Sequence, residues 1–124
     1  MDFASVADTL VAAYNEKDWD TLEPMIAPDL DFTHFNRNFA FEDRDGLMAI
    51  VKQFAAEFVP DRAFQPPERV TSAGNVVIRE SYYTGTAQVE LPGFAAQGEQ
   101  INMKLCSVLR FNDDGVLVEW KDYG

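Results

Sequence analysis

The stretch INMKLCSVLRFNDDGVLVEWKDY, residues 101–123, contains two strand-like runs separated by an acidic turn. Residues 101–111 form a long apolar run with β-branched residues, "NDDG" at 112–115 supplies hairpin chemistry, and "VLVEWKDY" at 116–123 resumes the alternation. A hairpin of this length commits the end of the chain to antiparallel sheet. Reading backwards, "SAGN" at 72–75 is a turn between a short strand around Val70 and the longer "VVIRESYYTG" from residue 76. Pro66 and Pro67 remove backbone donors just before Val70, so that strand belongs at an edge or starts late. "LPGF" and "AQG", between 91 and 98, form a glycine-containing loop.

The first half reads differently. Phe3, Val6, Ala7, Leu10, Val11 and Tyr14 recur at spacings of three and four behind a capping Asp2, which predicts an amphipathic helix. "NEKDWD" breaks it, and Trp19, Leu22 and Ile26 indicate a short second helix from about Asp20 that stops before Pro28. The strand "LDFTHFN" follows at 30–36. A third helix is expected from about Asp43 to Phe58, with Leu47, Ile50, Val51, Phe54 and Phe58 on one face and Pro60 closing it. Helices first and antiparallel strands after make an α+β pattern, a curved sheet over helices.

Strand alternation indicates which side chains point inward. In the last strand Val116, Val118, Trp120 and Asp122 share one face, and Leu117, Glu119, Lys121 and Tyr123 the other. The charged set argues that the even positions face in, which buries the Asp122 carboxylate among apolar groups. In the first strand Leu30, Phe32, His34 and Asn36 oppose Asp31, Thr33 and Phe35, so His34, the chain's one histidine, also points inward. Parity does not settle "VVIRESYY": Arg79 accompanies Val77, Ser81 and Tyr83, while Glu80 accompanies Val76, Ile78 and Tyr82. A buried carboxylate and a buried imidazole must each be satisfied or neutralised. Pairing them would do both, and such a pair moves protons near neutral pH. A purely structural pair, or two groups that never meet, fits the same parity.

Composition narrows the function. The 124 residues suit one domain, residues 1–124, and the chain is 47% hydrophobic and 13% aromatic, a surplus of rings often used to line a cavity. Twenty-one acidic against ten basic residues give a net charge of −11, which repels phosphate backbones and anionic headgroups. Nucleic acid and membranes are therefore not expected partners, whereas a neutral or cationic small ligand is compatible. The lone Cys106 forms no intramolecular disulfide and sits in an apolar strand, consistent with packing in a reducing cytoplasm. These residues contain no charged n-region followed by an apolar h-region and no apolar run of membrane length, so a soluble, cytoplasmic protein is expected. One His with scattered acids is a poor metal site, and no glycine-rich phosphate loop occurs.

The order of these elements resembles the nuclear transport factor 2-like (cystatin-like) superfamily, in particular its SnoaL-like branch. "VAAYNEKDWDTLEPMIAPDLDF" is similar to the family's opening, "DRDGLMAIVKQF" to its third helix, and "YTGT", "LPGFAAQGEQI" and "SVLRFNDDGVLVEWKDY" to its closing strands. The resemblance implies a cone: a strongly curved, mostly antiparallel sheet closing around a pocket, with three N-terminal helices as the other wall. It also implies a hydrophobic, carbonyl-bearing small molecule as ligand, no cofactor, and a homodimer through the sheet face. Members include polyketide cyclases, ketosteroid-isomerase-like proteins, epoxide hydrolases and non-catalytic binding domains, so fold alone leaves function open.

In the cyclase pattern a late-strand aspartate is the acid/base and a first-strand histidine helps line the pocket, positions matched here by Asp122 and His34. The epoxide-hydrolase pattern adds Arg-x-Asp on an earlier strand. "RES" supplies Arg79, but Ser81 stands where the second carboxylate belongs, which weakens that mechanism while favouring Arg79, Ser81 and Tyr83 as the inward set. Tyr82 or Tyr83 is placed to donate to a ligand oxygen. Phe32, Phe39, Met103 and Trp120 are candidate pocket walls, a role that core packing explains equally well.

Overall fold

The computed structural model describes residues 1–124. Helix α1 (Phe3–Glu16) starts where the Asp2 side chain accepts from the Ser5 amide and stops at Lys17, whose left-handed φ of 60° ends the turn. Its buried residues, Ala7, Leu10, Ala13 and Tyr14, follow the expected helical spacing. Asp18 caps α2 (Trp19–Leu22), and one 3-10 turn leads through Met25 into strand β1 (Ile26–His34). Asp43 caps α3 (Arg44–Gln53), which widens into a π turn over Phe54–Phe58 rather than continuing as α-helix. Widened turns of this kind occur often beside functional sites, and here the turn carries Phe54.

The sheet comprises β1, β2 (Phe39–Phe41), β3 (Ala63–Phe64), β4 (Arg69–Ala73), β5 (Val76–Thr86), β6 (Gln100–Phe111) and β7 (Leu117–Tyr123). Its order is β2-β1-β7-β6-β5-β3, with β4 also pairing β5. Every pairing is antiparallel except β1 with β7, which run parallel. The α+β class and the mostly antiparallel sheet covering three helices are thus as expected. No helix is long and apolar enough to cross a membrane.

Besides the early start of β1 at Ile26, a residue expected on the second helix, three details depart from the sequence reading. Strands β2 and β3 were not anticipated, because segments of three and two residues carry no usable alternation. β1 ends at His34, and Asn36 falls in a 3-10 turn where its carboxamide oxygen accepts from the Gly124 amide. Asn36 therefore does not continue the inward row. The third departure lies in β7. Arg110 pairs Glu119 while Phe111 pairs Leu117, so Val118 is an extra residue in a β-bulge. The bulge reverses parity on its N-terminal side: Leu117 is fully buried, and Val116 and Val118 are not the inward residues. Beyond it Trp120 and Asp122 do face inward, as expected. β5 also resolves, because Val77, Arg79, Ser81 and Tyr83 are all buried while Tyr82 is exposed.

Candidate functional site

Between the inner face of the sheet and α3 lies a cavity of about 80 Å³ lined by fifteen residues, thirteen of them hydrophobic. The other two are His34 and Asp122. β1 supplies Phe32, β5 Tyr83, β6 Met103 and Leu105, and β7 Trp120, while Leu47, Ile50 and Val51 of α3 close the opposite wall. Phe54 of the π turn, Phe39 and Phe94 complete the rim of rings, and Phe94 packs edge-on to Phe54. Phe32 makes an edge contact with Trp120 at 5.3 Å between centroids. Phe32, Phe39, Tyr83, Met103 and Trp120 are thus pocket walls.

Asp122 is the one carboxylate of the lining. It is 3% exposed and accepts a 2.8 Å hydrogen bond from the Trp120 indole Nε1. Burial pushes its pKa up to about 6; Ser107 and Trp120 temper the rise, and of these only Trp120 makes a hydrogen bond. The β1–β7 pairing sets His34 directly beside Asp122 in register. Neighbouring parallel strands project equivalent side chains side by side, and no hydrogen bond joins the two. His34 is 5% exposed, with both Nδ1 and Nε2 buried and unpartnered. The expectation that these groups satisfy each other is therefore corrected: they share a cavity, but Trp120 partners the carboxylate and the imidazole has no partner. Burial, followed by the nearby Arg37 charge, holds the His34 pKa below its ordinary value and keeps the ring neutral.

A second polar pair reaches the cavity from the helix side. The Tyr14 and Tyr83 hydroxyls lie 2.8 Å apart, and both phenols line the pocket. Burial raises both pKa values, keeping the hydroxyls protonated at neutral pH. Tyr83 was a sequence candidate. Tyr14 was not, because its place in the apolar row of α1 is also that of a core residue.

Arg79 and Ser81 were expected among the ligand-binding residues. Both point inward, but neither lines the cavity, and the Arg79 guanidinium is paired with Asp8 of α1. With Asp122 the single lining carboxylate, the arrangement has no Arg-bridged pair of acids. No cluster of three or more His, Cys, Asp or Glu side chains is placed to hold a metal ion.

The raised carboxylate pKa makes Asp122 a stability liability. A group at about 6 in the folded state, against the usual 3.8, binds more protons folded than unfolded between those values. Its contribution is thus most favourable below pH 3.8 and is lost as pH rises through about 6. The full shift corresponds to ~3 kcal/mol. Asp122→Asn, which keeps an oxygen for the Trp120 indole, is expected to raise stability at pH 7 by about 1–3 kcal/mol, with little gain at pH 4. Urea denaturation of both proteins at the two pH values would show this, and an equal effect at both would contradict it.

An open sheet closed by helices over an apolar cavity is the architecture of the nuclear transport factor 2-like fold. Within that class the family profile of the SnoaL-like domain matches residues 7–120, and the chain belongs to the SnoaL-like family. Among solved structures, a proposed polyketide cyclase from Xanthomonas campestris pv. campestris superposes with a TM-score of 0.81 at 17% identity, covering 98% of this chain and 89% of that one. IdmH, a proposed polyketide cyclase from Streptomyces antibioticus, gives 0.78 at 23% identity over 98% and 91% of the two chains. An LEH-like epoxide hydrolase of M. tuberculosis gives 0.76 at 15% identity, covering 98% and 80%. At these identities the likeness is one of fold. No match was found among curated protein sequences.

Proposed function

We propose that the protein is a cofactor-independent enzyme of the cyclase or isomerase type, acting by acid–base chemistry on a hydrophobic, carbonyl-bearing small molecule. The observation carrying this reading is Asp122: a buried carboxylate in an otherwise apolar cavity, poised near pH 6. Its ionised form removes a proton α to the carbonyl, the pair of electrons moves onto the carbonyl oxygen, and the carboxylic acid returns the proton at the new position. The growing charge on oxygen needs a donor, which the Tyr14–Tyr83 hydroxyl pair or the His34 N–H supplies. Proposed polyketide cyclases of the same fold, such as IdmH, accord with this assignment.

A substrate-independent test is α-proton exchange. The protein is incubated with 2-tetralone in D2O and deuterium uptake is followed by NMR. Acceleration over buffer that rises as pH passes about 6 is the expected result. Binding without exchange would instead support a passive pocket, the main alternative. The epoxide-hydrolase alternative is less favoured, because Asp122 has no second acid beside it and Arg79 is engaged by Asp8.

The same reading includes a homodimer through the outer sheet face, where Tyr82 and Tyr123 are exposed and Phe35 stacks on Tyr123 at 4.8 Å. Sedimentation is expected to give twice the 14.0 kDa chain mass, and Tyr123→Glu to shift it to the monomer. A monomeric wild type at micromolar concentration would exclude that assembly. The free thiol of Cys106 and the net charge of −11 suit a cytoplasmic protein without nucleic-acid partners.

A further inference from the structure

Six arginines are present, and their partners differ sharply. Arg44, Arg69, Arg79 and Arg110 each meet a carboxylate. Arg62 donates to the main-chain carbonyls of Tyr14 and Asn15. Arg37 has neither kind of acceptor. Its Nη2 lies 2.8 Å from the Met103 sulfur, its guanidinium sits 5.4 Å from the Phe94 ring centroid, and its Nε is buried without a partner. A thioether is a weak acceptor for a charged donor. In a chain with twenty-one acidic residues, the lack of any oxygen acceptor at this one arginine is informative.

The location adds to this. Met103 and Phe94 both line the cavity, and Arg37 is close enough to His34 to influence its charge state. His34 contributes two buried ring nitrogens with no partner, on the lining itself. Two neighbouring polar groups are thus left short of partners, His34 on the lining and Arg37 against the lining residues Met103 and Phe94. Buried polar groups without partners are costly, and each one in a native structure calls for an explanation.

We infer that Arg37 and His34 form an anion-recognition point at the edge of the cavity, and that the bound molecule is apolar with one carboxylate. The carboxylate replaces the Met103 sulfur as acceptor for Arg37 and takes the neutral imidazole N–H, while the apolar body fills the ring-lined space. This rests on the reading of the cavity as a small-molecule site and adds the charge of its ligand. The net charge of −11 favours neutral or cationic ligands only if its whole field acts at the site. Charges farther away than about 8 Å are screened at physiological salt, whereas a contact guanidinium is not.

The test compares 2-naphthoate with 2-naphthamide, which share shape and differ in charge. Binding is measured by NMR titration, with the Trp120 indole N–H reporting occupancy of the cavity. Wild type is expected to bind the carboxylate at least about tenfold tighter than the amide. Arg37→Met should abolish that preference by weakening the carboxylate far more than the amide, and Arg37→Lys should retain part of it. Equal binding of both probes to wild type, or a preference that survives Arg37→Met, overturns the inference. The two readings separate cleanly: amide binding at Trp120 without anion preference refutes only the anion point, and binding of neither probe refutes the small-molecule site as well.

Discussion

Asp122→Asn is expected to lower α-proton exchange on 2-tetralone by about 10²–10⁴-fold, the usual contribution of a positioned general base. Binding of the ketone should persist. The carboxamide has nearly the shape of the carboxylate and keeps an oxygen for the Trp120 indole, so the cavity wall survives the change. What disappears is a group able to take a proton at a pH above about 6. The companion effect on stability is expected to run the other way, because the charge proposed to take the proton is the one that burial penalises. Lost exchange with kept binding and a gain in stability at pH 7 is a signature that a purely structural acid would not give. Exchange retained at the wild-type rate would remove Asp122 from the mechanism, and the cavity would then be a passive binding site.

How far this site is legible in the sequence depends on element length. Trp120 and Asp122 lie beyond the bulge, where alternation holds, and both were correctly placed inward from parity. Val118 is the bulge residue itself and Val116 lies beyond it, and that single unpaired residue was enough to take both off the inward row. Bulges are set by the pairing of two strands and leave no mark in either alone. The side-by-side seating of His34 and Asp122 follows from a parallel β1–β7 pairing between strands more than eighty residues apart, which no local pattern encodes. Parity could bring both groups to one cavity. It could not say that Trp120 would take the carboxylate and leave the imidazole without a partner.

The helix-side wall was the least legible part. Tyr14 reads as one more apolar position on α1, and Arg62 falls in "DRAF", a polar stretch after Pro60 that suggests solvent. Arg62 is instead 2% exposed. Its position is decided by the end of α1: the last carbonyls of a helix lack intrahelical donors and carry the negative end of the dipole. Arg62 answers both needs by donating to the carbonyls of Tyr14 and Asn15. The same guanidinium lies 4.3 Å from the Tyr14 ring centroid and 5.7 Å from that of Trp19.

Arg62→Ala is accordingly expected to destabilise the fold by about 3–5 kcal/mol, adding a cavity to the loss of charged hydrogen bonds. Arg62→Lys keeps the charge but loses the planar stacking and the fork that spans two carbonyls, so about 1–2 kcal/mol is expected. Urea denaturation followed by tryptophan fluorescence measures both, since Trp19 and Trp120 flank the region. A cost below about 1 kcal/mol for Arg62→Ala would mean that water replaces the guanidinium without penalty. The consequence extends to the cavity. Tyr14 is held between Arg62 and the Tyr83 hydroxyl, so releasing one side loosens the hydroxyl pair that lines the cavity. Arg62→Lys should therefore slow α-proton exchange even where the protein is fully folded, while an unchanged rate would limit Arg62 to holding the end of α1.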